Sequence, residues 1–557
     1  MKRCICFLLL IMFAVLPSQA QHADTLFRKP FDFELFLSGN FGELRSNHFH
    51  SGLDFKTQGV VGKPIKCVAD GYIKRASVAP GGYGLALYVM HDNGYMTVYG
   101  HLDRFPQGVA ERVRDAQYGK ECFSVDISFA PDEFRVRRGE VLAIAGNSGY
   151  SFGPHLHFEL RDSTGEELYD PIPFFINELK DNRLPVVSKV AIYPSQGAGA
   201  VDSGYVSKVY ALKSGTLCDT VEVWGRIGFG IKAIDYMTGT NNKYGVCNIE
   251  LLVDDSLRFS SAMDRFSFKE NRLINAWADY SRYVNDGEWF QRLFLLENNP
   301  LRALWADANK GWIDVNEERL YKVECRVGDY HGNISNLLFY VRGKEQKIQP
   351  PAGAYNLYWF LNNSVEHNGM SLYIPAGELF ESVTVDIAKK DGEYGISGRY
   401  SFGESPLPLW HSARLGLRVD TLAVDSSKLY IRQVTKKGGF SVGGKYSDGW
   451  LYADVGSLGC FEVAVDTVSP SIVPVSEKNW SRSGKVVFAV SDKQTSVRSF
   501  RGTLNGNFVL FKYSSKNGRI ELDCRKENIR AGKHLLRLEV TDACGNSAVF
   551  EKRLFIK

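Results

Sequence analysis

Short segments in which apolar and polar residues alternate recur along most of this chain, and they constrain its fold more than any other feature. From about residue 186 onward they are separated by turns, as in Lys208-Val-Tyr-Ala-Leu212 and Thr220-Val-Glu-Val-Trp224. Alternation with a period of two is typical of half-buried β-strands. Because 557 residues are too many for one core, we expect three or four mainly β domains.

The first twenty residues have the composition of a secretion signal. Lys2 and Arg3 form a positive region, Ile5 to Leu16 is an unbroken apolar run, and Ser18-Gln19-Ala20 ends in small residues that a signal peptidase recognises. The alternative is a membrane anchor, but a twelve-residue run spans only ~18 Å as a helix, against a bilayer core of ~30 Å. We predict cleavage after Ala20 and export to the periplasm, the cell envelope or the medium, with no transmembrane segment in the mature chain.

Charge and cysteine usage exclude two classes of protein. Lys and Arg together number 67 and Asp and Glu 63, and no long basic run occurs. Nucleic-acid binding proteins usually carry a basic surplus, so we expect no nucleic-acid partner. The cysteines beyond the signal are sparse and never form Cys-x-x-Cys, which argues against a zinc ribbon or a redox motif. Export permits disulfides, but the sequence does not determine their connectivity.

Changes in composition divide the chain further. Residues 21–185 are rich in glycine and hold seven of the eleven histidines. Polar, proline-containing stretches at 344–351 and 468–474 are typical of linkers. We therefore predict a signal peptide at 1–20, a first domain, and two or three β-sandwich modules behind it, with these bounds: 21–185, 186–345, 350–468 and 469–557. An aromatic-rich, partly helical insertion is expected in the second of these, at about 265–310.

A weak internal repeat links the second and the last of these regions. Both contain Val-x-Asp-x-x-Gly-Asn, at residues 327–333 and 540–546, and in both an earlier strand ends in an aspartate, Asp235 or Asp492. Turn formation is the expected role of such aspartates, because Asp, Gly and Asn favour tight turns; calcium binding is the alternative. The pattern resembles the immunoglobulin-like β-sandwiches of bacterial surface proteins.

The residues that could carry chemistry lie between positions 48 and 157, in three segments. In the first, Asn47-His-Phe-His-Ser-Gly-Leu-Asp-Phe55, His50 and Asp54 are four residues apart, which places both on one face of an extended chain. An imidazole and a carboxylate on one face are good ligands for a divalent metal ion. The same spacing also occurs by chance, so this segment alone predicts little.

The second segment is the strand Gly153-Pro-His-Leu-His-Phe-Glu-Leu160, which alternates cleanly. Its leucines and phenylalanine should pack on the core, and His155, His157 and Glu159 should lie on the opposite face. Two imidazoles from one strand can reach one site, where one binds a metal ion and the other serves the reaction. The alternative is a polar, solvent-exposed face.

The third segment is a hairpin from Tyr83 to Leu102 that turns at Asn93-Gly94. His91 borders the turn, and we expect it to lie on the surface. The return strand should place its apolar residues on one face. The other face should line a groove, and it consists of Tyr95, Thr97, Tyr99 and His101.

In this order and context the three segments resemble those of the lysostaphin/LytM zinc peptidases. The matching motifs are His50-x-x-x-Asp54, Tyr99-Gly-His101-Leu and Gly153-Pro-His155-Leu-His157, within residues 35–165. The resemblance implies an antiparallel-sheet peptidase domain with one Zn²⁺ ion, bound by His50, Asp54 and His157. It also implies that His101 and His155 are the catalytic histidines, without deciding which is the general base. Three protein ligands leave one open position, as a catalytic zinc ion requires.

The resemblance also implies a function, hydrolysis of amide bonds in the stem or cross-link peptides of peptidoglycan. Two alternatives are a secreted protease acting on proteins or peptides, and a non-catalytic scaffold that activates other wall hydrolases. Residues 107–138 are longer than the compact family core, and either shape the groove or obstruct it. The tail holds only four, widely spread histidines, so we expect it to bind a cell-envelope protein or glycan rather than to catalyse.

Overall fold

The computed structural model describes residues 26–557, apart from residues 214, 218, 219, 352, 404 and 421–423. The predicted signal, residues 1–20, therefore lies outside the described residues, and so does Cys218. Strands dominate the chain, which confirms the mainly β fold. In the ranges given, no helix combines the length and the apolar character needed to cross a bilayer. The other seven cysteines beyond the signal are free thiols.

The N-terminal domain (residues 26–185) is an antiparallel sheet whose central strands carry the candidate site. Its elements, in chain order, are β1 (Leu37–Gly39), β2 (Leu44–Arg45), β3 (His48–Phe49), β4 (Leu53–Lys56), β5 (Pro64–Lys66), β6 (Gly71–Val78), β7 (Leu85–His91), β8 (Met96–Gly100), β9 (Leu102–Arg104), α1 (Gln107–Gly119), β10 (Val125–Ser128), β11 (Arg135–Val136), β12 (Val141–Ala145), β13 (His155–Arg161) and β14 (Glu167–Tyr169). The main sheet has the order β1-β4-β13-β8-β7-β6-β10, and β5-β12-β9 form a smaller sheet. An antiparallel sheet is what the resemblance implied, and the structure places β4, β13 and β8 side by side.

The second module (residues 186–345) is one large sheet with a helical stretch beside it. Its elements are β15 (Val186–Val201), β16 (Lys208–Ala211), β17 (Val221–Ile234), β18 (Asn248–Val253), β19 (Ser256–Ala262), β20 (Arg265–Ser267), a 3-10 helix (Phe268–Leu273), α2 (Ile274–Trp277), α3 (Tyr280–Asp286), β21 (Gln291–Arg292), β22 (Leu304–Ala306), β23 (Ile313–Val315), β24 (Leu320–Gly328) and β25 (Ile334–Gly343). β20 pairs with β14 of the N-terminal domain, and one apolar cluster runs from Phe27 to Val341. The two regions therefore share a continuous core.

The third module (residues 350–468) consists of two five-stranded sheets, in the orders β27-β28-β32-β36-β35 and β30-β31-β37-β33-β34, and a two-stranded sheet of β26 and β29. Its strands are β26 (Tyr355–Leu357), β27 (Asn363–His367), β28 (Met370–Ile374), β29 (Val383–Val385), β30 (Ile387–Asp391), β31 (Gly398–Phe402), β32 (Leu407–Arg418), β33 (Leu429–Thr435), β34 (Gly438–Ser441), β35 (Lys445–Ser447), β36 (Trp450–Leu458) and β37 (Cys460–Val465). Side chains from both sheets, such as Leu415 and Phe461, meet in one buried core.

The fourth module (residues 469–557) has two four-stranded sheets, β38-β39-β43-β42 and β41-β40-β44-β45. Its elements are β38 (Ser471–Pro474), α4 (Trp480–Ser483), β39 (Lys485–Ser491), β40 (Val497–Leu504), β41 (Asn507–Phe508), β42 (Lys512–Ser514), β43 (Arg519–Asp523), β44 (Gly532–Asp542) and β45 (Ser547–Ile556). This module folds back onto the N-terminal domain, where Glu527 pairs with Arg114 of α1 at 2.8 Å.

Candidate active site

Strand register brings two of the predicted metal ligands together. β4 and β13 pair antiparallel with Asp54 directly opposite His157, and β8 places Gly100 opposite His157 on the other side. Residues paired in this way project to the same face of a sheet. A Cβ on Gly52 would clash with the carbonyl oxygen of Phe158, so this glycine lets the segment that carries His50 approach β13.

His50, Asp54 and His157 form a buried group that we call the histidine centre. Asp54 Oδ1 lies 3.1 Å from His50 Nε2 and 2.9 Å from His157 Nδ1, and the two nitrogens are 3.1 Å apart. Around a tetrahedral zinc ion with bonds of ~2.0–2.1 Å, ligand atoms are roughly 3.3 Å apart. The three donor atoms thus fit one such ion after small outward movements.

Each ligand of the histidine centre is oriented by a partner behind it. The Asn40 carbonyl oxygen accepts a hydrogen bond from His50 Nδ1 at 2.6 Å, which leaves Nε2 with the lone pair. Glu159 Oε1 accepts from His157 Nε2 at 2.8 Å, which leaves Nδ1 for a metal ion. Arg45 Nη2 donates to Asp54 Oδ2 at 2.7 Å, so Oδ1 faces the centre. Such outer hydrogen bonds fix the tautomer and the ring orientation of metal ligands.

The electrostatics favour the metal-binding protonation state of His50 and Asp54, but they keep a proton on His157. Burial lowers the pKa of His50 to about 4, against the opposing charge of Asp54, so His50 is neutral at pH 7. Although burial opposes it, the neighbouring histidines hold the pKa of Asp54 well below its usual range. Burial alone would lower the pKa of His157, but hydrogen bonds to Asp54 and Glu159 raise it to about 9. A cation would displace that proton from His157 Nδ1.

Glu159, to which sequence reasoning gave no role, contacts the histidine centre through His157. It is fully buried, accepts from Tyr83 Oη and Arg161 Nε at 2.5 and 2.7 Å, and also accepts from Ser51. Burial acts in the other direction, yet the charge of Arg161 and the bond from His157 keep the pKa of Glu159 well below its usual range. Its position two residues after His157, on the same strand face, was the signal that could have identified it.

His101 and His155 stand beside the centre, with ring centroids 4.7 Å apart. His101 Nδ1 donates to the Ser148 carbonyl oxygen at 2.8 Å, and His155 Nδ1 donates to the Gly153 carbonyl oxygen at 2.8 Å. Each ring therefore keeps a free lone pair on Nε2. The Nε2 atom of His155 lies 3.5 Å from Asp54 Oδ1. Burial, followed by the nearby His157 and His155, lowers the pKa of His101 to about 3, so this imidazole is neutral at pH 7.

The predicted faces of the return strand are wrong for its tyrosines. Tyr99 pairs with Phe158 and is fully buried in the core, and Tyr95 packs edge-on against Phe27. Neither lines a groove. His101 reaches the open face because its left-handed backbone (φ 60°) breaks the alternation after β8. Both faces of this central strand are covered, so residue polarity could not distinguish them.

His91 is also placed differently from the prediction. It is 3% exposed, and its Nε2 lies 2.7 Å from Thr97 Oγ1, across the base of the hairpin. The aromatic residue that stands beside the histidine centre is Tyr83, whose ring centroid is 5.2 Å from that of His157. Tyr83 belongs to the loop that precedes β7.

The stretch 107–138 forms α1 and then adds β10 and β11 to β6, at the far edge of the sheet from β13. It does not carry any of the five predicted site residues. Instead it docks the fourth module, since Tyr118 of α1 packs against Phe508 with centroids 5.5 Å apart.

A turn of the fourth module, Ser515–Lys516, lies at the rim of the site. Lys516 Nζ donates to the Ser151 carbonyl oxygen and lies 5.3 Å from the ring of Phe152. Ser515 N donates to the Pro80 carbonyl oxygen at 3.0 Å. Ser151 Oγ is itself 3.2 Å from His155 Nδ1. The tail thus contacts both loops that flank the histidines.

Comparison with known proteins finds similarity to a peptidase family in the N-terminal domain. Residues 48–118 match peptidase family M23, and residues 354–466, in the third module, match the Zu5-like domain. The chain is 34% identical over 118 residues to a DD-carboxypeptidase/endopeptidase of Neisseria meningitidis, covering 21% of each protein. It is 30% identical over 140 residues to the peptidoglycan DD-endopeptidase ShyC of Vibrio cholerae, covering 24% of this chain and 26% of that protein.

Among solved structures, the catalytic domain of lysostaphin from Staphylococcus simulans is 22% identical, with a TM-score of 0.18, covering 28% of this chain and 97% of that one. The chain spans about a fifth of the length of the first curated relatives that it matches, 21% for the protein from Neisseria meningitidis. The family match confirms the resemblance inferred from the sequence.

Proposed function

We propose that this chain, which carries a LytM-type domain of peptidase family M23, is an exported zinc endopeptidase that hydrolyses amide bonds in peptidoglycan peptides. The observation that carries the proposal is the histidine centre, with three donor atoms 2.9–3.1 Å apart and two further imidazoles beside it. Members of this peptidase family hydrolyse peptides. The zinc ion, the wall substrate and export are our inferences for this chain.

One Zn²⁺ ion per domain would be held by His50 Nε2, Asp54 Oδ1 and His157 Nδ1. When bound, such an ion polarises the carbonyl of the substrate and lowers the pKa of a water molecule to roughly 7. The protein supplies the orientation, because Asn40, Glu159 and Arg45 each hold one ligand.

His101 and His155 are proposed to be the catalytic residues. Both keep Nδ1 bonded to a backbone carbonyl oxygen, so each presents Nε2 as a base or, once protonated, as a donor. One of them would accept the proton of the attacking water, and an imidazole would donate to the developing oxyanion. The geometry is compatible with either assignment of these two tasks.

The carboxylates of the site favour amide over glycan hydrolysis. Glycosidases generally use two carboxylates on opposite sides of the scissile bond. Here Asp54 is engaged with Arg45 and the histidines, and Glu159 is enclosed by Arg161, Tyr83 and Ser51. Neither is available as an acid or a nucleophile. Relatives named as a DD-endopeptidase and a glycyl-glycine endopeptidase support wall peptides as the substrate.

The remaining parts of the chain are assigned by proposal. We propose a signal at 1–20, the peptidase domain at 21–185, and non-catalytic β modules at 186–345, 350–468 and 469–557, with immunoglobulin-like character in the last. The tail would position the enzyme by binding an envelope protein or glycan. It supplies none of the five residues that form the histidine centre and its two neighbouring imidazoles.

Digestion of purified peptidoglycan with the chain lacking residues 1–20 tests this proposal. We expect new free amino groups without new reducing ends, and fragments cut within stem or cross-link peptides by mass spectrometry. The His155→Ala variant should release far less, and His48→Ala is the matched control, because His48 is an exposed histidine outside the histidine centre. Point variants are preferable to a cut at residue 185, since the core is continuous across it.

Three results would contradict the proposal. New reducing ends would indicate a glycosidase, and cleavage restricted to folded proteins would indicate a secreted protease. Bound zinc with no turnover on any wall fragment would indicate the scaffold that activates other hydrolases.

A further inference from the structure

Three aspartates and one histidine meet where the chain passes from the N-terminal domain into the second module; we call them the junction cluster (Asp181, Asp235, Asp329 and His331). Ligand atoms of Asp181, Asp329 and His331 all lie within 4.8 Å of one another. Asp235, which follows β17, lines the same small cavity. None of these residues takes part in the proposed hydrolysis.

Hydrogen bonds within turns explain only part of the cluster. Asp181 Oδ1 accepts from the backbone N–H groups of Arg183 and Thr238, both at 3.0 Å. Asp329 Oδ1 accepts from the N–H groups of His331 and Asn333 at 2.8 and 2.9 Å. The turn N–H groups therefore bond one oxygen of each aspartate, and the Asn333 side chain bonds the other oxygen of Asp329.

Two other carboxylate oxygens have no partner. Asp235 is only 4% exposed, and its Oδ1 is buried without a hydrogen bond, as is Oδ2 of Asp181. Within the part of the chain that the structure describes, no ion pair involves any of the three aspartates. Buried polar atoms nearly always have a partner, because an unsatisfied one is costly. Oxygens that converge on a cavity without a countercharge are what a cation site requires.

The fourth module contains the same arrangement in a self-satisfied form, the tail cluster (Asp466, Asp492 and Asp542). Thr495 Oγ1 donates to Asp466 at 2.8 Å, just as Thr238 Oγ1 donates to Asp181 at 3.3 Å. Asn546 caps both oxygens of Asp542, as Asn333 does for Asp329. In the tail cluster, both oxygens of the buried Asp466 and Asp542 are bonded. The junction cluster therefore differs from the tail cluster in its two buried oxygens that have no partner.

We propose that the junction cluster binds one divalent cation of the hard, oxygen-preferring class that includes Ca²⁺. Asp181, Asp235 and Asp329 would supply the carboxylate ligands, and waters or carbonyl oxygens would complete the six to eight positions that Ca²⁺ prefers. His331 contacts the Leu179 carbonyl oxygen through Nε2 and serves chiefly to close the cavity. The tail cluster carries no such assignment, because its buried oxygens are already satisfied.

The position of the junction cluster gives the cation a structural task. Asp181 belongs to the connection between the two regions, whereas Asp235 and Asp329 end strands of the second module. One ion would therefore fasten the connection to that module. The cavity is also lined by Asn40, whose side chain bonds Gly245 at 2.8 and 2.9 Å and whose carbonyl oxygen orients His50. The site would support the histidine centre without contacting its ligands.

Calcium binding to the full chain, stripped of cations and reloaded with one equivalent of zinc, tests the proposal. Equilibrium dialysis against CaCl₂ with elemental analysis should give one calcium ion per chain, and calcium should raise the thermal unfolding midpoint. Asp235→Asn and Asp329→Asn should each weaken calcium binding by a factor on the order of 10–100. Asp542→Asn, the equivalent change in the tail cluster, should leave it unchanged.

Several results would overturn the proposal. One is that millimolar CaCl₂ neither binds to the chain nor shifts its thermal unfolding midpoint. Another is that Asp542→Asn and Asp329→Asn reduce calcium affinity equally. Binding of Mn²⁺ or Zn²⁺ but not Ca²⁺, abolished by His331→Ala, would refute the oxygen-preferring class. If Asp329→Asn fails to fold, Asp235→Asn decides the question, because Asp235 Oδ1 makes no hydrogen bond whose loss could unfold the chain. The zinc content of each variant reports separately on the histidine centre.

Discussion

The histidine centre and the junction cluster use similar donors, yet their surroundings differ. Carboxylate and imidazole atoms lie within 4.8 Å of one another in the histidine centre and, in the junction cluster, among Asp181, Asp329 and His331. Behind the first stand Arg45, Glu159 and the Asn40 carbonyl oxygen, each fixing one ligand. Behind the second stand turn amides and the side chains of Thr238 and Asn333, and two oxygens stay unpartnered. The first centre also has two further imidazoles beside it, whereas the cavity of the second is lined by Ile172 and Met237.

This difference shows how one donor set can serve two tasks. Oriented ligands with an open side and spare bases suit catalysis, which needs a substrate position. A closed cavity with excess negative charge suits an ion that only holds segments together. The residues around the ligands, rather than the ligands themselves, decide that one site is assigned to catalysis and the other to a structural ion. The following experiments test both the ligands and these surrounding residues.

Loss of a ligand from the histidine centre should have the largest effect. His157→Ala removes one of three protein ligands, so we expect bound zinc and peptidoglycan hydrolysis both to be lost. Elemental analysis and the amino-group assay measure the two losses. His48→Ala should retain both. If His157→Ala keeps a full equivalent of zinc, the ligand set is wrong.

Removal of a neighbouring imidazole should separate metal binding from catalysis. We expect His101→Ala and His155→Ala to bind zinc as the unaltered chain does, while turnover falls by about 10²–10⁴. The reason is that each variant loses proton transfer or oxyanion stabilisation and no metal ligand. Parallel zinc and rate measurements test this. A rate close to that of the unaltered chain would remove that histidine from the mechanism.

Glu159→Gln should weaken zinc binding by a factor on the order of 10–100, a smaller effect than ligand loss. A neutral amide no longer holds His157 Nε2–H by charge and leaves Arg161 without its partner. Competition with a chelator measures the affinity, with the exposed Glu166 as the control position in Glu166→Gln. An unchanged zinc affinity in Glu159→Gln would mean that the hydrogen bond behind His157 contributes little to metal binding.

These residues also show how far sequence reasoning reached. Short spacings and strand alternation, which are local properties, pointed to His50, Asp54 and His157 as candidates, and the resemblance to the LytM peptidases implied that these three are the ligands. The role of Glu159 and Arg45 depends on which strand lies beside which, and the face of Tyr99 depends on how deeply β8 is buried. The junction cluster joins residues 181, 235 and 329, whose approach is set by the folding of two regions around one core. No local pattern contains that information.

The junction cluster should reveal itself through pH when no cation is present. Burial, followed by the charges of Asp329 and Asp181, raises the pKa of Asp235 to about 8, while Arg183 acts weakly against this. Between pH 4 and pH 8 the folded chain thus holds a proton that the unfolded chain has lost. Stability should therefore fall as the pH rises through this range.

Urea unfolding at pH 5 and pH 8 in the presence of a chelator measures this fall. Asp235→Asn should reduce it and should be the more stable form at pH 8 without calcium, whereas added calcium should favour the unaltered chain. An identical pH dependence in both proteins would show that Asp235 is not the group that titrates.

The smallest effect should come from the tail at the rim of the histidine centre. Lys516 contacts Ser151 and Phe152 on the loop beside His155. A surface contact of a half-buried lysine is worth ~1 kcal/mol or less, so Lys516→Ala should change rates by about fivefold at most. Because the contact restricts the open side, we expect faster hydrolysis of intact peptidoglycan and an unchanged rate on short soluble peptides. The exposed Lys533, in Lys533→Ala, is the control. Slower hydrolysis of both substrates would mean instead that the tail forms part of the active site. The histidine centre would then depend on the fourth module for its activity.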